Sequence, residues 1–255
     1  MYELTDSHVH LNETAFDHDR DGVIDRASSA GVNTMIVPAT DMQSWAPIKS
    51  LCIENGSMYP AFGLHPMFLN KHAPQHVDAL SSWLEHEHPV AVGEIGLDFH
   101  QHDLDPDLQR EYFVRQLRLA LNHDLPVIVH ARAALEEVTL TIRRVGNLRG
   151  VVHSFSGSEQ QAENLWKLGL HLGIGGPVTY ERAHRLRRIV ADMPLEYLLL
   201  ESDAPDQPDA AHRGKRNEPA RLTEILRCVA SLRNESEAEI ASATSANARR
   251  LFKLD

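Results

Sequence analysis

The stretch "DPDLQREYFVRQLRLALNHDLPVIVHAR", residues 105–132, contains one structural unit of the chain in full. Pro106 sits where a first helical turn tolerates proline, and Leu108, Tyr112, Phe113, Leu117 and Ala120 recur at helical spacing, which predicts a helix. A short, apolar, β-rich run at 126–129 follows and ends in His130. Working outward, runs of the same kind occur at 2–7, 34–38, 58–62, 90–93, 150–152, 170–174 and 197–200, with helix-like stretches between them. Gly31, Gly56, Gly146 and Gly169 follow such stretches, where a left-handed cap is useful. Eight strand-plus-helix units in 255 residues match the size and order of an α/β chain folded as a (β/α)8 TIM barrel, in one domain spanning 1–255. A doubly wound open sheet fits less well, because it generally uses fewer strands and the first turn has no glycine-rich phosphate loop.

Composition narrows the class further. A formal charge of -11 argues against a surface coated by nucleic acid, although cations held in a site reverse the sign locally. The longest apolar runs are far too short to span a bilayer, and "MYELTD" lacks the features of a signal peptide, so the reading is soluble and cytoplasmic. Cys52 and Cys228 cannot build a disulfide framework or a cysteine zinc site, and each is expected as a buried free thiol.

A barrel places functional residues at the C-terminal ends of its strands. His8 and His10 end the first, His65 in "GLHP" the third, and Glu94 and Asp98 in "GEIGLD" the fourth. His130 ends the fifth, His153 in "VHSFSG" the sixth, and Glu201 and Asp203 in "LLLESDAP" the eighth. Among 16 histidines about one His-x-His arises by chance, and three are present. His86/His88 precedes the fourth strand and falls on the opposite face, while His100/His102 lies in a polar loop read as solvated. His8 and His10, two apart on an extended segment, point the same way and reach one point. Burying Glu94 and Asp203 without a cation is costly, and a mixed imidazole and carboxylate set suits Zn, Mn, Co or Ni and accommodates Mg.

Taken together, "DSHVHL", "GLHP", "GEIGLDF", "VHAR", "VHSFSGS", "GIGGPVTY" and "LLLESDAP" resemble the TatD family of metal-dependent hydrolases, in its YjjV-like branch. The likeness runs from Asp6 to about Pro219 and includes the ending "NARRLF". It implies a TIM-barrel amidohydrolase-type fold, two divalent cations, and phosphodiester hydrolysis of the deoxyribonuclease kind, with an exonuclease expected. Carried over by motif, His8, His10, Glu94 and Asp203 hold one metal and Glu94, His130 and His153 the other. Asp203 then also acts as the catalytic base toward the attacking water. His65 either meets the substrate phosphate or fixes the turn before Pro66. Glu201 either orients a ligand or pairs with a cation such as Arg132.

The resemblance has departures. Family members often carry Ser and Asp where Ala131 and Ala133 stand in "HARAAL", while Arg132 remains. His212, Arg213, Lys215 and Arg216 in "AHRGKRNEP" offer a place for a nucleic-acid backbone, bound without regard to sequence. The basic segment 182–189 reads as the wet face of a helix. Neither a membrane nor an obligate protein partner is indicated. The competing activity is hydrolysis of a small ester, lactone or amide, which predicts a narrow, closed pocket in place of an open groove. A non-enzymatic metal-binding protein predicts no open coordination position.

Overall fold

The computed structural model describes residues 2–254. Its eight strands are β1 (Leu4–Asp6), β2 (Val32–Pro38), β3 (Met58–Phe62), β4 (Ala91–Asp98), β5 (Val127–Arg132), β6 (Gly150–Val152), β7 (Leu170–Ile174) and β8 (Leu198–Leu200). They form one parallel sheet in the order β1 to β8. The first and last strands meet where the Ser7 N–H and hydroxyl both donate to Leu200 O at 3.0 Å. Between the strands run α1 (Arg20–Ser29), α2 (Met42–Glu54), α3 (Gln75–Glu87), α4 (Pro106–Asn122), α5 (Leu135–Val145), α6 (Glu159–Trp166) and α7 (His184–Asp192). The chain ends in α8 (Leu222–Arg233) and α9 (Glu237–Phe252). This is the expected (β/α)8 barrel.

Local chemistry sets the helix starts. Asp105 caps α4 by accepting the Asp107 and Leu108 N–H groups, with Pro106 in the first turn. Reciprocal capping boxes open α2 (Asp41 with Ser44), α6 (Ser158 with Gln161) and α9 (Ser236 with Glu239). Gly31, Gly146 and Gly169 take positive φ as expected. Gly56 does not, because α2 ends at Asn55 in an extended conformation and needs no left-handed residue.

Two cores result. The larger lies between barrel and helices and includes Phe16, Trp45, Phe62, Phe113 and Leu117. The smaller fills the barrel interior with Ile36, Ala61, Ala91, Ile128, Val151 and Leu199, closed by Leu251, Phe252 and Leu254. α9 is fastened by Asn247 Nδ2, which donates to Leu195 O and Leu198 O, and by Ser245, which donates to Glu3 O.

Two buried glutamines on α4 hold the strand ends that lead into the mouth. Gln116 accepts from Leu64 N and donates to Leu64 O; Gln109 does the same with Asp98 N and O, at 2.8 and 3.0 Å. Removing either amide strands a buried N–H and C=O, at about 1–3 kcal/mol for each unpaired group. The helix face therefore fixes where His65 and Asp98 emerge. No helix of the described residues is long and apolar enough to cross a membrane. Cys52 is buried on α2 as expected, while Cys228 on α8 is only half-buried, its Sγ lying beside Arg187 and Val178 O.

Candidate metal centre

The fourth strand runs further than the expected 90–93, to Asp98, and is buried throughout. Gly96 makes that possible, since a Cβ there would strike His130 O at 2.0 Å. Side-chain alternation along this strand puts Glu94 and Asp98 on one face. Glu94 is the hub. Its Oε2 lies 3.2 Å from His8 Nε2 and 3.5 Å from His10 Nε2. Its Oε1 lies 2.7 Å from His153 Nε2, 3.1 Å from His130 Nδ1 and 2.8 Å from His65 Nε2. Asp203 Oδ1 faces the first pair, 3.5 Å from His8 Nε2 and 3.7 Å from His10 Nε2. Every site residue read from the sequence thus converges on Glu94.

These donor sets fit cations. On the Oε2 side the separations run from the 3.1 Å between His8 Nε2 and His10 Nε2 to the 3.7 Å between His10 and Asp203. Four ligands at metal distances of about 2.0–2.2 Å in a tetrahedron stand about 3.3–3.6 Å apart, which falls within that span. On the Oε1 side His130 Nδ1, His153 Nε2 and Glu94 form a triangle with edges of 2.7, 3.1 and 3.3 Å. An ion taken up there in tetrahedral geometry would have three protein donors and one position left over.

Hydrogen bonds assign the imidazole protons. His130 lies between two carboxylates, its Nε2 2.9 Å from Asp98 Oδ2 and its Nδ1 3.1 Å from Glu94 Oε1; a cation on the Nδ1 side would take that lone pair and leave the proton on Nε2, donated to Asp98. His65 also carries its proton on Nε2, but there Nε2 is the atom that faces Glu94. Its Nδ1 accepts the Met67 N–H at 3.0 Å, so its Nε2 carries the proton and donates to Glu94 Oε1. His65, Glu94 and His130 lie close enough together to share an ion, yet this tautomer makes His65 a donor to Glu94 and not a ligand. It also fixes the turn before Pro66, through the Met67 N–H, which is one of the two readings of His65.

Burial alone would raise the Glu94 carboxyl, but the surrounding His65, His153 and His8 imidazoles outweigh it and hold the group well below the usual carboxylate range. Burial pushes Asp203 up to about 6 and Asp6 up to about 7, and lowers His65 to about 4.

Several neighbours had no role in the sequence reading. Asp98, noticed there only as a strand-end acid, is the partner of His130. Asp6 Oδ1 accepts the N–H groups of both His8 and Ser202, tying the first and last strand ends together. Gln207 Nε2 donates to Asp203 Oδ2. Glu201 does not pair with Arg132: it accepts the Ser154 N–H and faces His153 Nδ1 at 3.7 Å, in room that Gly173 leaves by lacking a Cβ. Arg132 is exposed and has no ion pair among the described residues.

The basic loop is less free than its sequence suggests. Arg216, though exposed, forks onto Asp19, and His212 bonds Asp209, which leaves Arg213 and Lys215 as its exposed cations with no ion pair among the described residues. His86 and His88 sit exposed at the end of α3, away from the mouth, and His100 and His102 are exposed in their loop. Beside the mouth, Phe99, Ala131, Ala133, Leu135, Arg144 and Gln161 border an open cavity of about 760 Å³. The two alanines that depart from the family pattern line it.

A (β/α)8 barrel with imidazole and carboxylate donors at the C-terminal ends of its strands defines a metal-dependent hydrolase. The family model described as "TatD related DNase" matches residues 5–253. The chain belongs to that family. It is 40% identical to the metal-dependent hydrolase YjjV of Escherichia coli K12, over 98% of this chain and 97% of that protein. The crystal structure of E. coli YjjV superposes with a TM-score of 0.94 at 38% identity, covering 99% of this chain and 98% of that one. A Cronobacter sakazakii relative, 37% identical over 98% of this chain and 97% of its own length, is named a 3'-5' ssDNA/RNA exonuclease, TatD.

Proposed function

We propose that this hydrolase is a phosphodiesterase that trims single-stranded nucleic acid from an end, using two divalent cations that share Glu94. The observation that carries the reading is the division of Glu94, with Oε2 toward His8, His10 and Asp203 and Oε1 toward His130 and His153. The exonuclease name of the Cronobacter relative supports the substrate class.

In this reading His8, His10, Glu94 and Asp203 hold one ion, and Glu94, His130 and His153 the other. Bound there, the pair supplies Lewis acidity toward the phosphoryl oxygens and makes water a nucleophile near neutral pH. The residues do the rest. Asp203 accepts a proton from the attacking water. Asp98 orients His130 from behind through a hydrogen bond, and the Glu201 carboxylate faces His153 Nδ1 at 3.7 Å. The His65 Nε2–H donates to Glu94 Oε1 and so holds the shared carboxylate in place. Exposed Arg132, two residues beyond His130, takes a flanking phosphate. Phe99, on the border of the open cavity, suits contact with a base, because base stacking on aromatic rings is tolerant of sequence. The unpaired thiols of Cys52 and Cys228 suit a reducing cytoplasm.

The test is a substrate panel on apo protein reconstituted with Zn, Mn, Mg, Co or Ni in turn. End-labelled single-stranded DNA and RNA are expected to shorten stepwise from one end. Intact oligonucleotides alongside rapid turnover of a lactone, carboxylic ester or amide would show the small-molecule activity instead.

A further inference from the structure

Behind Asp203 the structure holds a chain of side-chain hydrogen bonds that neither the resemblance nor the proposed chemistry uses. Gln207 Nε2 donates to Asp203 Oδ2 at 2.5 Å, and Gln207 Oε1 accepts the Ser154 hydroxyl at 2.8 Å. Ser154 follows His153 directly, so the amide links the end of β6 to the loop after β8. Asp203, Gln207 and Ser154 all have positive φ, of 54°, 50° and 46°, conformations that non-glycine residues rarely adopt without a compensating contact.

The backbone around Gln207 is held independently of its side chain. Gly176 approaches so closely that a Cβ there would lie 2.0 Å from Gln207 O. Asn217 Nδ2 donates to Ser202 O, Asp206 O and Gln207 O, binding the loop into one unit. The amide is therefore an addition to a loop already fixed.

We propose that Gln207 is a positioning residue for Asp203, its amide holding Oδ2 so that Oδ1 alone faces His8 and His10. Both ends of the amide are used, and the carboxylate sets its orientation: an ionised carboxylate only accepts, so the NH2 group faces Asp203 and Oε1 is left to accept the Ser154 hydroxyl. Asp203 Oδ1 is then presented to one point by a carboxylate that cannot turn edge-on, and a ligand fixed in this way binds its ion more tightly. The inference rests on Asp203 being a ligand and proton acceptor as proposed above.

Gln207→Met keeps an unbranched side chain of similar length and removes the amide. Its expected effects are a roughly 10–100-fold loss of affinity for one cation, read by calorimetric titration of apo protein with Mn2+, and a fall in kcat on bis(p-nitrophenyl) phosphate with KM changed by less than about threefold. Gln207→Glu, which sets a second carboxylate against Asp203, is expected to lose more on both counts. Ser154→Ala is expected to lose less, and Ser154→Ala/Gln207→Met no more than Gln207→Met alone, because both act through one chain of bonds. The thermal midpoint of each variant, unchanged within a few degrees, separates positioning from general destabilisation. Wild-type cation affinity or wild-type kcat in Gln207→Met overturns the proposal, and so do multiplicative losses in the double variant. Because the titration needs no substrate, a wild-type protein that binds two ions but cleaves no nucleic acid would refute the phosphodiesterase reading and leave this one standing.

Discussion

Replacing Asp98 by Asn isolates the proton on His130. The Asp98 side chain is fully buried, its Oδ1 accepting the His100 N–H at 3.0 Å and its Oδ2 the His130 Nε2–H at 2.9 Å. An asparagine has one acceptor for these two donors. With its oxygen toward His100, its NH2 meets the His130 Nε2–H, and the imidazole must move its proton to Nδ1, the atom 3.1 Å from Glu94 and 3.3 Å from His153. A protonated Nδ1 has no lone pair for a metal. With the amide turned over, the same clash falls on the His100 N–H, which then loses its acceptor. The charged hydrogen bond given up is worth about 1.5–3 kcal/mol, which at 1.4 kcal/mol per decade is roughly 10–100-fold in affinity for the ion at His130. Titration of apo Asp98→Asn with Zn2+ or Mn2+ should show one site weakened by that factor and the other near wild type. Two sites of wild-type affinity would mean that the His130 tautomer is not set by Asp98 and that the ligand assignment on that side fails.

Glu94→Ala should lose both ions in elemental analysis, whereas His153→Ala should keep the one held by His8 and His10; equal losses in the two variants would contradict a shared carboxylate. Arg132→Ala should raise KM for oligonucleotides and lower the slope of log affinity against log salt by about 1, leaving bis(p-nitrophenyl) phosphate turnover unchanged, and an unchanged salt slope would remove Arg132 from phosphate contact. His171 sits buried at the β6–β7 ladder with Nδ1 toward Gly150 O and Nε2 unpartnered, and burial lowers it from 6.5 to about 4. Its folded form resists protonation while the unfolded chain takes it up, so stability is full above pH 6.5 and falls as pH drops toward 4, by at most about 3 kcal/mol at 1.36 kcal/mol per unit. Urea unfolding of His171→Leu at pH 7 and pH 4.5 should show a shallower loss than wild type, and parallel losses would count against that protonation cost.

The fold was readable because period-two and helical patterns are local, and because a parallel barrel turns strand polarity into position. β3, β6 and β7 have the residues expected of them. The mouth followed from the same rule, bringing together groups as distant as His8 and Asp203. Where the reading fell short, the cause was long-range. The fourth strand was expected at 90–93 with Glu94 and Asp98 beyond it, yet pairing with β5 carries it on to Asp98, and alternation from Glu94 is the signal that could have found the residue behind His130. Gln207 lies in an irregular loop with no period to read, and its partner comes from another strand end. Arg216 was counted as a free cation because its partner Asp19 is 197 residues away.

The meeting of the first and last strands has a consequence for how the chain is made. Glu94, His130 and His153 come from three consecutive strands, so a polypeptide emerging from its N-terminus has all three once β6 is complete. His8 and His10 are synthesised first of all and yet wait for the last strand, because Asp203 arrives with it and the Ser7–Leu200 bonds span 193 residues. The same order applies to a chain cut in two. A piece ending after residue 153 retains one complete set of donors, and any break between β6 and β8 divides the other between two fragments.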